Sequence, residues 1–162
     1  MRDDRVKGGD MKSLRMLALL ATAAVTAGGA QIATAADHDS CLSVNAQAVG
    51  QDLGHGRTTS TITHAGILNG ATNAQLQITG GTPPVVTLAG TGVLTTDHGT
   101  LTISIVGTFN QVTGAIEATG QVVAGTDVFA HATGTLMFVG VEDLTTGSFT
   151  NTITGTVCLA HD

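Results

Sequence analysis

Residues 100–109 read T-L-T-I-S-I-V-G-T-F, and residues 148–159 read S-F-T-N-T-I-T-G-T-V-C-L. In the first stretch Leu101, Ile103, Ile105 and Phe109 take odd positions and Thr or Ser takes most of the even ones. In the second, Phe149, Ile153, Val157 and Leu159 alternate with Ser148, Thr150, Thr152, Thr154 and Thr156. A repeat of two is what a pleated strand needs when one face is dry and the other wet. Branching at Cβ, common in both stretches, is also well tolerated on a pleated surface. The chain is therefore expected to be a succession of such strands.

From Cys41 the same alternation puts Leu42, Val44, Ala46 and Ala48 on one face and Cys41, Ser43, Asn45 and Gln47 on the other, and residues 50–56 read as a loop. Residues 58–68 resume the pattern, with Ile62 opposed to Thr59, Thr61 and Thr63. Asn69-Gly70 reads as a turn, because both residues tolerate positive φ. Residues 72–79 alternate until Gly80-Gly81-Thr82-Pro83-Pro84 breaks the run. Residues 85–89 and 92–96 follow, with Gly90 marking a bulge or a bend. Turns at Asp97-His98-Gly99, Thr113-Gly114 and Gly125-Thr126-Asp127 separate strands at 100–109, 115–124 and 128–141. Residues 142–147 make the last connection. Eight or nine strands at spacings of about 10 residues, without a segment of helical period, suit a closed barrel or a sandwich. Abundant Thr, Gly and Ala with few aromatic residues also suit a β-solenoid, but the hairpin signals favour antiparallel pairing and no fixed-length repeat is present.

The first 36 residues read differently. Lys12 and Arg15 precede an uncharged run, residues 16–36, with the core M-L-A-L-L-A followed by small residues and Ala33-Thr34-Ala35. A basic region, a short apolar region and small residues before the cut make a secretory signal, with cleavage expected near Ala35 or Ala36. The apolar part falls short of the roughly 20 residues that cross a bilayer, so no stable membrane insertion is expected after cleavage. Asp3, Asp4 and Asp10 are unusual in the basic end of a signal, which makes Met11 an alternative start. His38-Asp39-Ser40 before Cys41 gives no lipid-attachment context. Residues 37–162 are then expected to form one domain and to be secreted or periplasmic.

Removing the signal changes the charge. Of the 12 acids, Asp3, Asp4 and Asp10 are lost and nine remain; of the six Lys and Arg, Arg57 alone remains, a charge of about −8 with His neutral. Such a chain repels phosphate backbones and anionic lipids, which excludes nucleic acid as a partner. Cys41 and Cys158 stand at opposite ends of the mature chain, and an exported pair with nothing left over forms a disulfide. A thiolate metal site is the weaker reading, for want of a C-x-x-C pair. Cys41 begins the first strand, Cys158 ends the last, and both lie on the hydroxylated face. In an up-and-down barrel with an even strand count those strands are antiparallel neighbours, so a bridge across the outside of the seam is expected. The fold expectation is an all-β antiparallel up-and-down barrel of about eight strands.

Residues 123–140, V-A-G-T-D-V-F-A-H-A-T-G-T-L-M-F-V-G, preceded by T-D-H-G-T-L and followed by T-G-S-F-T-N-T-I-T-G-T-V-C, resemble the bacterial exported proteins with an allene oxide cyclase barrel-like domain, related in shape to plant dirigent proteins. The resemblance covers roughly residues 92–159. Where that family tends to have G-T-G-x-F-x-G-A-T-G, this chain departs at Asp127 and His131. The resemblance implies an eight-stranded barrel whose mouth opens on a pocket for an apolar small molecule. In the plant relatives the barrel steers a cyclisation or coupling by shape. It transfers no catalytic residue to this chain.

Candidate chemistry is sparse. His64, on the face of Ile62, and His131, after Phe129, are candidates for an imidazole in a barrel lumen, against the simpler reading of hydrogen-bonded core or rim histidines. Asp97-His98 and Gly54-His55-Gly56-Arg57 are candidates for a polar group around one mouth, with Arg57 holding a carboxylate, against plain solvated turns. Phe109 and Phe138 are expected to line the pocket. With the disulfide formed, His38, Asp39, His161 and Asp162 come near one another, a conceivable zinc site against the plainer reading of frayed termini, and no metal or cofactor is expected. No G-x-S-x-G, H-E-x-x-H, phosphate-loop or G-x-G-x-x-G motif is present. Three readings follow: a binding barrel for a small apolar molecule, a cofactor-free isomerase or cyclase using His64 or His131, and a structural β protein without a pocket.

Overall fold

The computed structural model of the protein describes residues 40–160, so the expected signal, its cleavage point and the terminal histidines lie outside the described residues. Eight strands follow one another: β1 (Ser40–Asp52), β2 (Arg57–Thr63), β3 (Gly70–Thr82), β4 (Val85–Thr96), β5 (Gly99–Asn110), β6 (Ala115–Gly125), β7 (Thr133–Glu142) and β8 (Ser148–Leu159). Each pairs antiparallel with the next, and β8 returns to β1, so the sheet closes into a barrel. Closure excludes the sandwich and the solenoid. It also removes the free strand edges that an open sheet must protect.

The seam follows from the cysteines. β1 and β8 pair along twelve positions, from Ser40↔Leu159 to Gln51↔Ser148, with Cys41 opposite Cys158. Their Cα atoms lie 3.9 Å apart and the sulfurs are bonded at 2.04 Å. The bridge therefore joins the first strand to the last across a ladder that is already in register.

The repeat of two sorts the side chains by face. Val44, Ala46 and Ala48 on β1, Leu101 and Ile103 on β5, and Phe149, Ile153 and Val157 on β8 are buried, whereas Thr150, Thr152, Thr154 and Thr156 are exposed. Many inward positions carry little or no side chain: Ala46, Ala48, Gly50, Ala74, Gly92, Ala118, Gly120 and Gly140. An eight-stranded barrel is just wide enough to be filled by its own side chains or to hold one small ligand. Small inward residues leave this barrel unfilled by its own side chains.

The structure departs from the sequence expectations at several places, among them residues 50–52, 80–82 and Glu142, which belong to β1, β3 and β7 and not to connections. Residues 64–68 leave the strand: β2 stops at Thr63, His64 takes φ 63°, and a 3-10 turn forms at Gly66–Leu68. Residues 128–132 are likewise not strand, because a second 3-10 turn, Asp127–Phe129, lies between Asp127 at φ 54° and His131 at φ 59°. These turns drop Leu68 and Phe129 into the barrel end, leaving them 3% and 0% exposed. Gly90 makes neither bulge nor bend: β4 runs unbroken, and a Cβ there would collide with the Gln75 carbonyl of β3. The irregularities fall instead between Ile78 and Gly80 on β3 and between Thr102 and Ile103 on β5. Asn69 is extended at φ −62° and acts through its side chain, whose Oδ1 accepts the Ala65 N–H at 2.8 Å.

Candidate functional site: an apolar lumen with an acidic mouth

The two ends of the barrel differ. At one end the two 3-10 turns and the β4–β5 turn close over Leu68, Leu94, Leu101, Phe129, Ala132 and Val157, which belong to one buried cluster. Backbone bonds tie the plug in place: Thr126 N donates to Thr100 O at 3.0 Å and Val128 N to His98 O at 3.2 Å. At the other end a cavity of about 520 Å³ enters the lumen, within the range of small-molecule sites. Its walls are Ile62, Leu76, Ile78, Leu88, Ile103, Ile105, Phe109, Ile116, Leu136, Phe138, Phe149 and Ile153, with Ala48, Ala74, Gly92 and Ala118 making the room.

Glycines decide where the aromatic rings go. A Cβ on Gly120 would stand 2.6 Å from Ile103 Cγ2 and 2.8 Å from Phe138 Cε2, and one on Gly50 would collide with the Phe149 ring. Each ring thus packs against a glycine of a neighbouring strand. The lumen stays open beside it.

Polar groups gather at the mouth. Asp52, the last residue of β1, and Glu142, the last of β7, both line the cavity, and so does His55 of the β1–β2 turn. Asp52 Oδ1 accepts the Gly54 N–H at 2.8 Å. The turn is held against β3, where Gln75 Nε2 donates to the His55 carbonyl at 3.0 Å and Leu76 N donates to the Gly56 carbonyl at 2.7 Å. Only glycine fits at 56, which takes φ 72° with its α-carbon close to the Leu76 carbonyl. Burial, and then the negative charge of Asp52, raise the Glu142 carboxyl above its ordinary 4.5. Deeper on the same wall Asn151 faces the cavity, and its Oδ1 is buried without a hydrogen-bond partner.

The residues singled out in the sequence divide sharply. Phe109 and Phe138 line the cavity. His64, His98 and His131 are exposed in turns at the plugged end, and none lines the cavity. Arg57 begins β2 at the open end, but its position is exposed and pairs with Gln75 on the outward face. The two turns expected to share a mouth, at 54–57 and 97–98, lie at opposite ends of the barrel. Asp52 and Glu142 are absent from the sequence reading because both fall in stretches taken as connections. Parity was the available signal, since Asp52 continues 44, 46 and 48 and Glu142 continues 136 and 138.

The class defined by this architecture is the small closed antiparallel β-barrel with a hollow apolar interior. No family model matches the chain, and no curated protein or solved structure was found to be similar to it. Among the described residues no group of three or more His, Cys, Asp and Glu side chains is placed to hold a metal ion.

Proposed function

We propose that the protein binds a small apolar molecule in the lumen. The observation that carries this reading is the 520 Å³ cavity, walled by aliphatic and aromatic side chains and entered from one end. An apolar cavity that its own side chains leave unfilled gives up dispersion contacts that a ligand would restore. The Cys41–Cys158 bridge suits an oxidising compartment. With the signal-like pattern of residues 1–36, it supports export to a periplasm or to the outside of the cell. Membership of the exported allene oxide cyclase barrel-like group belongs to the same proposal, supported by the eight-stranded closed barrel and its apolar lumen.

Native mass spectrometry of the oxidised protein tests the reading, together with titration by a neutral environment-sensitive dye such as Nile red. A retained small molecule, or dye fluorescence that saturates at one equivalent, is the expected result. A protein that carries nothing and leaves the dye dark would overturn it.

One observation favours a second reading, a cofactor-free isomerase or cyclase. Glu142 places on the cavity wall a carboxyl that burial and the charge of Asp52 raise above its ordinary value, which favours the protonated form that a general acid needs. A ligand recovered chemically unchanged after long incubation would leave binding alone.

A further inference from the structure

We infer that the lumen selects an amphiphile with a cationic head, a protonated alkyl amine, its apolar body inside the barrel and its charge between Asp52 and Glu142. This deepens the binding function proposed above and rests on it. The cavity supplies the place for an apolar body, and the mouth supplies the sign of the head group. Asp52 and Glu142 both line the mouth and are near enough for Asp52 to disfavour the charge on Glu142.

Among the described residues no Lys or Arg answers them from inside. Arg57 is the sole Lys or Arg after residue 15, and it stands outside the wall. His55 shares the mouth, and the exposed Asp143 in the connection after β7 adds another carboxylate at this end. Two carboxylates at the entrance to a low-dielectric cleft concentrate a cation and repel an anion. The two carboxyl groups at the mouth supply acceptor oxygens there, one of which Asp52 commits to Gly54. An ammonium is a donor without an acceptor, so it complements this set. A carboxylate head would meet like charge, and a phosphate head would meet more of it.

Three probes of one chain length make the test: decylamine, decanol and decanoate, titrated by calorimetry at pH 7 and low salt, below their aggregation concentrations. The expected order is amine, then alcohol, then carboxylate, with the amine about tenfold tighter than the alcohol, as one or two charge contacts near a surface would give. Asp52→Asn keeps the oxygen that Gly54 binds, and with Glu142→Gln it is expected to abolish the preference, bringing the amine to the level of the alcohol. Decanol binding without a preference for the amine would overturn the inference and leave the apolar-binding proposal standing. Failure of all three probes to bind would overturn both. Added salt is expected to weaken amine binding and spare decanol.

Discussion

Glu142 costs the empty barrel stability in order to stand where it does. Its carboxyl is raised by burial and by Asp52, so its charged form is disfavoured in the folded state. The sign follows from linkage. Below the ordinary value of 4.5 the group is protonated in both states and contributes nothing. As pH rises through the raised folded value, the unfolded chain is ionised first and the penalty appears in full. Glu142→Gln is therefore expected to raise the melting temperature at pH 7 by about 1–3 °C, as a partly exposed group would, with the gain vanishing at pH 4. A variant that melts lower at pH 7 would contradict this account of the site. Asp143 titrates in the opposite sense. The backbone N–H of Thr145, chiefly, holds its carboxyl below the ordinary range, so its contribution is present above that range and fades as pH falls through the lowered value.

The elements that close the barrel are of two kinds, and the sequence displays only one of them. The strand alternation of β1, β5 and β8 is legible because most inward positions are aliphatic or aromatic and most outward ones are polar, and the cysteine positions place β1 beside β8. The plug is not legible, because it depends on His64, Asp127 and His131 adopting positive φ, where sequence preference points to glycine or asparagine. Phe129 then reads as one more strand residue, although it is wholly buried as the stopper of the closed end. Phe129→Ala is expected to cost about 3–5 kcal/mol, read as a fall in urea midpoint. The seam should behave otherwise. Replacing Cys41 and Cys158 together by Ser removes a tie worth on the order of 2–5 kcal/mol, yet the twelve paired positions of β1 and β8 remain. The expected result is a lower melting temperature with an unchanged far-ultraviolet spectrum. Loss of β signal at room temperature would mean that the sulfur bond, and not the ladder, closes the barrel.

At the scale of the whole molecule, hollowness and stability are opposed. Glycine and alanine on the inward faces leave a void whose lining lacks van der Waals partners on one side, and a barrel selected for stability alone would fill it. Ala74 faces the lumen from β3, opposite Gly92 of β4, and a Cβ on Gly92 would find the Ala74 Cβ at 3.6 Å, an ordinary contact. A leucine at 74 would extend into the cavity, sharing the face of Gly92 with Ile105, whose Cδ1 lies 3.2 Å from the position of a Cβ there. Ala74→Leu is thus expected to raise the melting temperature by about 1–3 °C, the return of partial apolar burial, and to weaken Nile red or decanol binding by about tenfold or more, since the ligand and the new side chain compete for one space. The two readouts must move in opposite directions. If the variant is more stable and binds as before, the ligand lies somewhere other than the lumen; if it binds less and is also less stable, the lumen is narrower at Gly92 than its lining implies.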